Sequence, residues 1–361
     1  MLNRFVRGQI SVPNLVVAQR VLDKMAAAAQ TFIADETGEA MVGLVVPGTY
    51  TNGIPTLYVL DTISPDESAV RQMHTFQQGD ERQDELIWWL QENWHDHREK
   101  NRGSAWQRLV NGTSKWDVPL RYLGDWHKQP GYMIQPSGGD LMTALDWIED
   151  DENGMDFLLA PIVTLGHPHT IAPSSVVTNF LMIPQDDETA MRVDFWYIDR
   201  KVAMFLPISP TVYPDDQLPT LPPYPWHLLD DKRLTEEHSL IERDGLFTSL
   251  TLWDTDDDPP LEICFLTARM GGSKMIIVIT PHDYPKRPPR ARIAPFIHMK
   301  SGDDMYAVFK SAWESAEPRE YHPDGTWTPE SRLIDFIHQV EQKAGLGGAA
   351  PRSTSEVEVL P

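Results

Sequence analysis

The sequence predicts an α/β (α+β) fold in two domains, and three observations predict it. Runs with apolar residues at helical spacing interleave with short strand-like runs over about the first 206 residues. Seven prolines then crowd between Pro207 and Pro225. Beyond them, one polar helix precedes three strand-like runs and a closing helix. A chain of 361 residues has room for two domains, each with its own core.

Taken in order, "NLVVAQRVLDKMAAAAQTFIADE" keeps helical apolar spacing through Ala-rich sequence, and "AMVGLVVPG" and "TLYVLDTI" read as strands joined by the turn "TYTNGIP". From Asp80 to about Lys100 a long amphipathic helix is expected, followed by the polar loop "NRGSAWQRLVNGTSKWD". "PLRYLGDWH" is a strand, "DLMTALDWIEDD" a helix, and 157–166 and roughly 191–206 are further strands. The prolines of 207–226 predict an extended linker without ladder hydrogen bonds. After it, "LLDDKRLTEEHSLIERDG" is a helix. "LFTSLTLWD", "LEICFLTAR" and "KMIIVITP" are strands, the last two joined by the hairpin "MGGS". "PESRLIDFIHQVEQKAG" is the last helix, closing a domain over 227–343, and 344–361 reads as a disordered tail.

Composition narrows the function. A formal charge of −22 disfavours nucleic acid, which needs clustered Lys and Arg, and a neutral or basic protein partner is easier to accommodate. No apolar run approaches the roughly 20 residues of a membrane-spanning helix, and no secretion signal is visible, so no membrane association and a cytoplasmic location are expected. The single Cys264 excludes a cysteine zinc cage and leaves His, Asp and Glu as metal ligands.

Two constellations carry chemistry. The first is "GDWHKQPGYMIQPSGGD": from His127, Gln129 lies two residues on, Pro130 three, Ser137 ten and Asp140 thirteen. Upstream, Glu36 opens "ETGEAMVG", with Gly43 seven residues later. Ser137 to Asp140 is also a good helix-start signal by itself. The pairs His95 and His97, and His167 and His169, read as surface and turn histidines, not ligands. The second constellation is "ITPHDYPKRPPRARI" followed by "HPDGTWTPESRLIDFIHQV".

The first set resembles the JAB/MPN family of zinc metallo-isopeptidases, with its cytidine-deaminase-like layered fold. The resemblance implies Zn2+ as cofactor, Glu36 as general acid/base, Ser137 as oxyanion donor, and His127 and Asp140 as zinc ligands. Gln129 stands where the family has a second histidine, a degenerate ligand position. An amide oxygen is neutral and a poorer donor, so zinc affinity is expected to fall by orders of magnitude. The sequence leaves open a weakened enzyme, a natural pseudoenzyme and an introduced substitution.

The second set resembles the ubiquitin-conjugating fold, an antiparallel sheet with helices, in its cysteine-less variant form. Asp283, Tyr284, Pro285, Pro288, Pro289, His322, Pro323, Trp327, Thr328 and Pro329 carry the likeness, and only Asp324 to Thr326 fill the place of the cysteine loop. Together the resemblances imply a peptidase of a bacterial ubiquitin-like pathway. It would cleave after the C-terminus of a ubiquitin-like protein, with a non-catalytic docking domain that recruits substrate or the pathway's activating or conjugating enzymes. The alternative is a scaffold that binds the same partners without cleavage.

Overall fold

Where a helix is expected from Asn14, residues Asn14–Ala18 form a strand. The computed structural model describes residues 12–78, 81–101, 114–168, 177–300 and 302–346. Strand β1 (Asn14–Ala18) is almost wholly buried, and helix α1 (Gln19–Thr31) starts only at Gln19. The β-branched pair Val16 and Val17 favours a strand hydrogen-bonded on both sides. From there Val21, Leu22, Met25 and Ala29 provide the helix's buried stripe.

Strands β2 (Gly38–Val46) and β3 (Thr56–Ile63) pair antiparallel, and a small hairpin of β4 (Val70–Gln72) and β5 (Thr75–Gln77) follows. Helix α2 (Glu81–Asn101) buries Leu86, Trp89, Leu90, Asn93 and Trp94, the i, i+3, i+4 pattern of an amphipathic helix. Strand β6 (Leu120–Lys128) pairs with β2, and helix α3 (Gly138–Glu149) follows a short turn. The expected strand at 157–166 is two strands, β7 (Phe157–Leu159) and β8 (Ile162–Pro168), broken around Pro161. Both run parallel to β6, β7 beside Gly124 and β8 beside His127 and Lys128. Strands β9 (Phe180–Pro184), β10 (Thr189–Asp194), β11 (Trp196–Asp199), β12 (Leu206–Pro207) and β13 (Pro210–Tyr213) complete an 11-stranded mixed sheet among the described residues.

The linker expected at 207–226 does not stay out of the ladder. Strand β13 pairs in parallel with β1 over Pro210 to Tyr213. Its proline stands at the first strand position, where the missing N–H is tolerated, and Thr211 to Tyr213 supply donors. The chain divides into two units at Pro222 and Pro223. The loop residues 102–113, His169 and the tail from 347 fall outside the described residues.

The second unit opens with α4 (Trp226–Leu229) and α5 (Asp231–Arg243), where one helix is expected. Strands β14 (Leu246–Asp254), β15 (Leu261–Arg269), β16 (Lys274–Thr280) and β17 (Arg290–Pro295) form an antiparallel meander in that order. Alternate residues of β15 serve two cores. Ile263 and Phe265 pack with Ile241 of α5 and Phe336 of α7 (Leu333–Lys343). Cys264 and Leu266 pack with Phe309 of an unforeseen helix, α6 (Met305–Ser315). A sheet covered on both faces explains why "LEICFL" lacks polar alternation. Helix α7 starts at Leu333, not at the expected Pro329, because Thr328 to Ser331 close a turn with Ser331 N–H donating to Thr328 O at 3.0 Å. Ala344 and Leu346 still pack on the core, so the described chain remains ordered past residue 343.

Candidate active site

A bulge in β6 decides which side chains share a face. Met41 opposes Gly124 and Val42 opposes Tyr122, so Leu123 is the extra residue. Gly124 sits at φ +126, and a Cβ there would lie 2.1 Å from Leu159 O. Beyond the bulge, Asp125 and His127 fall on one face at strand spacing.

His127 is the last residue but one of β6, its N–H donating to Pro161 O at 3.1 Å, and Gln129 N–H donates to Val163 O at 2.9 Å. Ser137 caps α3 through a reciprocal pair: its Oγ accepts Asp140 N–H at 3.2 Å, and Asp140 Oδ2 accepts Ser137 N–H at 2.5 Å. The helix-start role of Ser137 and Asp140 is therefore real, and it also aims Asp140 back at the strand end. Gln129 Nε2 lies 3.2 Å from His127 Nε2 and 3.4 Å from Asp140 Oδ2, and His127 Nε2 lies 3.6 Å from Asp140 Oδ1. With the amide in this orientation its nitrogen donates and His127 Nε2 accepts. Burial holds the imidazole below its ordinary pKa against the pull of Asp140, which keeps it neutral.

Glu36 arrives from the loop before β2, its N–H donating to Gln72 O of the small hairpin at 2.9 Å. Its carboxyl is raised above the ordinary range, first by partial burial and then by the Asp140 carboxylate, while His74 and Lys128 pull it down. Glu36 thus senses Asp140 although they are far apart in sequence. Glu39, the other glutamate of that segment, is buried and accepts hydrogen bonds from the hydroxyls of Thr62 and Ser64, so its oxygens are occupied. His74 and Lys128 act on Glu36 although no sequence motif contains them. Lys128 is buried and donates to Ile33 O at 3.0 Å.

Do these donors fit a cation? Ligands at roughly 2.0–2.1 Å from one tetrahedral ion stand about 3.3 Å from each other. The separations among His127 Nε2, the amide nitrogen end of Gln129 and the two Asp140 oxygens, 3.2 to 3.6 Å, are of that size. Gln129 Oε1 is buried with no partner. Exchanging the amide oxygen and nitrogen would turn Oε1 toward His127 and Asp140, and with His127 Nε2 unprotonated three acceptors would then face one another, an arrangement that a cation satisfies. Imidazole, carboxylate and amide oxygen therefore fit a divalent ion, more weakly than two imidazoles and a carboxylate. Among the described residues no group of three His, Cys, Asp or Glu side chains is placed to hold a metal, and here the third donor is the amide.

Neither of the two sequence pairs supplies a ligand among the described residues. His95 and His97 are exposed on α2, and His167 Nε2 shares a 2.7 Å hydrogen bond with Thr164 Oγ1.

In the second unit, one buried pair on α5 ties the sequence motifs together. Glu237 Oε1 accepts from Tyr284 Oη at 2.5 Å and Oε2 from Leu333 N–H at 2.9 Å. Arg233 donates to Tyr284 Oη at 3.0 Å, to Pro329 O at 2.9 Å, to Ser331 O and to Glu237. Trp327 Nε1 donates to Pro285 O at 2.9 Å. At the segment Asp324 to Thr326, Lys343 bridges Asp324 at 2.8 Å and Asp324 N–H donates to Gln339 Oε1 at 2.8 Å. Cys264 is fully buried in β15, and burial pushes its thiol far up. It is a core residue.

No protein-family model matches the chain, and no curated protein matches it. Among solved structures, a solution structure of a protein from Desulfitobacterium hafniense is similar at 12% identity. It covers 55% of this chain and 93% of its own, with a TM-score of 0.28. A likeness of that size carries no argument about fold or function. Among the described residues no helix is long and apolar enough to cross a membrane.

Proposed function

We propose that the first unit is a JAB/MPN-type zinc peptidase that cleaves after the C-terminus of a ubiquitin-like protein, and that the second is a cysteine-less conjugating-type module that docks the partner. The observation that carries the reading is the convergence of His127, Gln129 and Asp140 within 3.2 to 3.6 Å, with Glu36 near enough to feel Asp140. His127 Nε2, Asp140 and Gln129 Oε1 would hold the ion. Bound there, zinc would supply Lewis acidity that makes hydroxide accessible near neutral pH.

The chain's own residues account for the rest. Glu36 takes the proton of the attacking water and passes it to the departing amine as the C–N bond breaks. A carboxyl raised by burial and by Asp140 suits a group that must hold that proton between steps. Ser137 Oγ accepts the Asp140 N–H and so keeps its own O–H to donate to the developing oxyanion. In the second unit, the helix, four-stranded meander and Tyr284–Trp327 corner follow the order the conjugating fold needs, without a thiol to form a thioester.

A second reading, a scaffold that binds without cleaving, is favoured by one observation: the Gln129 amide nitrogen closes the His127–Asp140 gap without a cation. The test is processing of a ubiquitin-like protein carrying a C-terminal extension, by the wild-type chain, Gln129→His and Glu36→Gln. Cleavage that rises in Gln129→His and vanishes in Glu36→Gln upholds the peptidase. No cleavage by Gln129→His, with the partner still bound, upholds the scaffold.

A further inference from the structure

We propose that strand β14 of the second unit is a self-association edge, pairing antiparallel with β14 of a second copy of this chain so that two four-stranded meanders become one sheet. The sheet runs β14–β15–β16–β17, so β14 and β17 are its edges. An edge strand carries a row of backbone N–H and C=O groups directed away from its ladder, and proteins blunt such edges with charges, prolines, bulges or a covering segment. Strand β17 is blunted in three ways. Arg290 and Arg292 stand in it, Pro295 ends it, and Tyr321 covers it, exchanging N–H···O bonds with Ala291 at 2.9 and 2.8 Å. Strand β14 has none of these devices. Its nine residues, LFTSLTLWD, hold no proline and a single charge, Asp254 at the last position, in a chain of which 23% is charged. All nine pair with β15 in continuous register, without a bulge. From Phe247 to Trp253 the residues are half-buried or exposed, with Leu250 36% exposed at the centre.

The residues of the strand favour a second copy as the occupant. Opposite residues of an antiparallel ladder share a face, and the register centred on Leu250 pairs every residue of one β14 with one of the other. It sets Leu250 against Leu250, Phe247 against Trp253, Thr248 against Leu252 and Ser249 against Thr251. The faces match as well. Leu252 packs on the core shared with α5 and α7, and Trp253 on the core shared with α6, so the added pairs extend both layers. Tyr306 and Phe309 flank the Trp253 ring at 5.3 and 5.1 Å between centroids, which holds that indole in place for a cross-strand aromatic pair. Nine residues make an edge about 30 Å long, and a side-chain layer of roughly 10 Å on each face gives on the order of 600 Å2 per partner. About 1,200 Å2 in total reaches the lower bound of specific interfaces. An edge almost free of charge is also where two chains of net charge −22 can meet with least repulsion. The inference rests on the sheet of the second unit and on none of the cleavage chemistry above.

The test is the oligomeric state of the full chain. Sedimentation over a concentration series is expected to show a reversible monomer–dimer equilibrium. Leu250→Lys and Leu250→Glu each set like charges opposite one another at an exposed position, and each weakens the dimer at least roughly tenfold. Mixing the two variants restores it, which a misfolded chain would not do. Leu250→Cys reports the register, because opposite Cα atoms about 4.5–5.5 Å apart are within disulfide reach, and mild oxidation gives a covalent dimer. In Leu252→Cys the two thiols stand four residues apart along the ladder, roughly 13 Å, and no crosslink forms. Cys264 is buried and supplies none. A wild-type chain that stays monomeric at every concentration would overturn the proposal and leave the edge to a strand of a different protein. A dimer undisturbed by both charged variants, or one crosslinked as fast through Leu252→Cys as through Leu250→Cys, would overturn it by placing the contact elsewhere.

Discussion

Gly124 shows how much of the site one residue controls. Its positive φ and the 2.1 Å approach of Leu159 O leave no space for a side chain, and the bulge beside it sets which face of the sheet Asp125 and His127 share. Gly124→Ala should cost more than about 2 kcal/mol, because strain and a backbone clash add. A lowered thermal midpoint would show this, and a midpoint equal to wild type would contradict the bulge. Glu36 and Glu39 make the complementary point, since they are three residues apart and do opposite things. Glu39 is locked between two hydroxyls, whereas Glu36 is half-buried beside Asp140. Glu39→Gln should therefore leave cleavage by the Gln129→His chain in place while lowering stability, and loss of cleavage without loss of stability would reverse the two roles. His127, Gln129, Ser137 and Asp140 were legible in the sequence because a strand end and a helix start joined by one short turn keep sequence spacing as spatial spacing. The action of His74 and Lys128 on Glu36 was not legible, because only the fold brings those segments together.

At the scale of elements, local pattern succeeded wherever one face of an element is polar and failed where burial is complete. Strand β1 was merged with α1 because Val16 and Val17 are followed at once by a good helical stripe, and the partners that make them a strand lie at 56–59 and 210–213. Helix α6 was missed although β15 and β16 are apolar on both faces and so require a second covering layer. The pair Arg233 and Glu237 is the element-scale tie of the second unit, joining α5 to the Tyr284 turn and to the start of α7. Arg233→Met would strand Glu237 in a buried site and should cost about 3 kcal/mol or more. Chemical denaturation of the full chain checks this, and a loss below about 1 kcal/mol, the range of an exposed pair, would mean that the network is not buried as described.

For the whole molecule, the prolines of 207–225 mark a boundary but do not make all of that stretch a tether. Strand β13 belongs to the first unit through its ladder with β1, so a chain ending at 209 loses an edge that a chain ending at 222 retains. The shorter chain should unfold at a lower temperature; equal midpoints would return 210–213 to the connector. The account as a whole stands on three side chains converging to hold one divalent ion. Titration of zinc onto metal-stripped full-length chain, against a competing chelator, measures that directly. The account predicts one site in the wild-type chain, tighter in Gln129→His by at least about tenfold as imidazole replaces an amide oxygen, and lost in His127→Ala. Equal affinity in all three chains, or no zinc bound by Gln129→His, would contradict it.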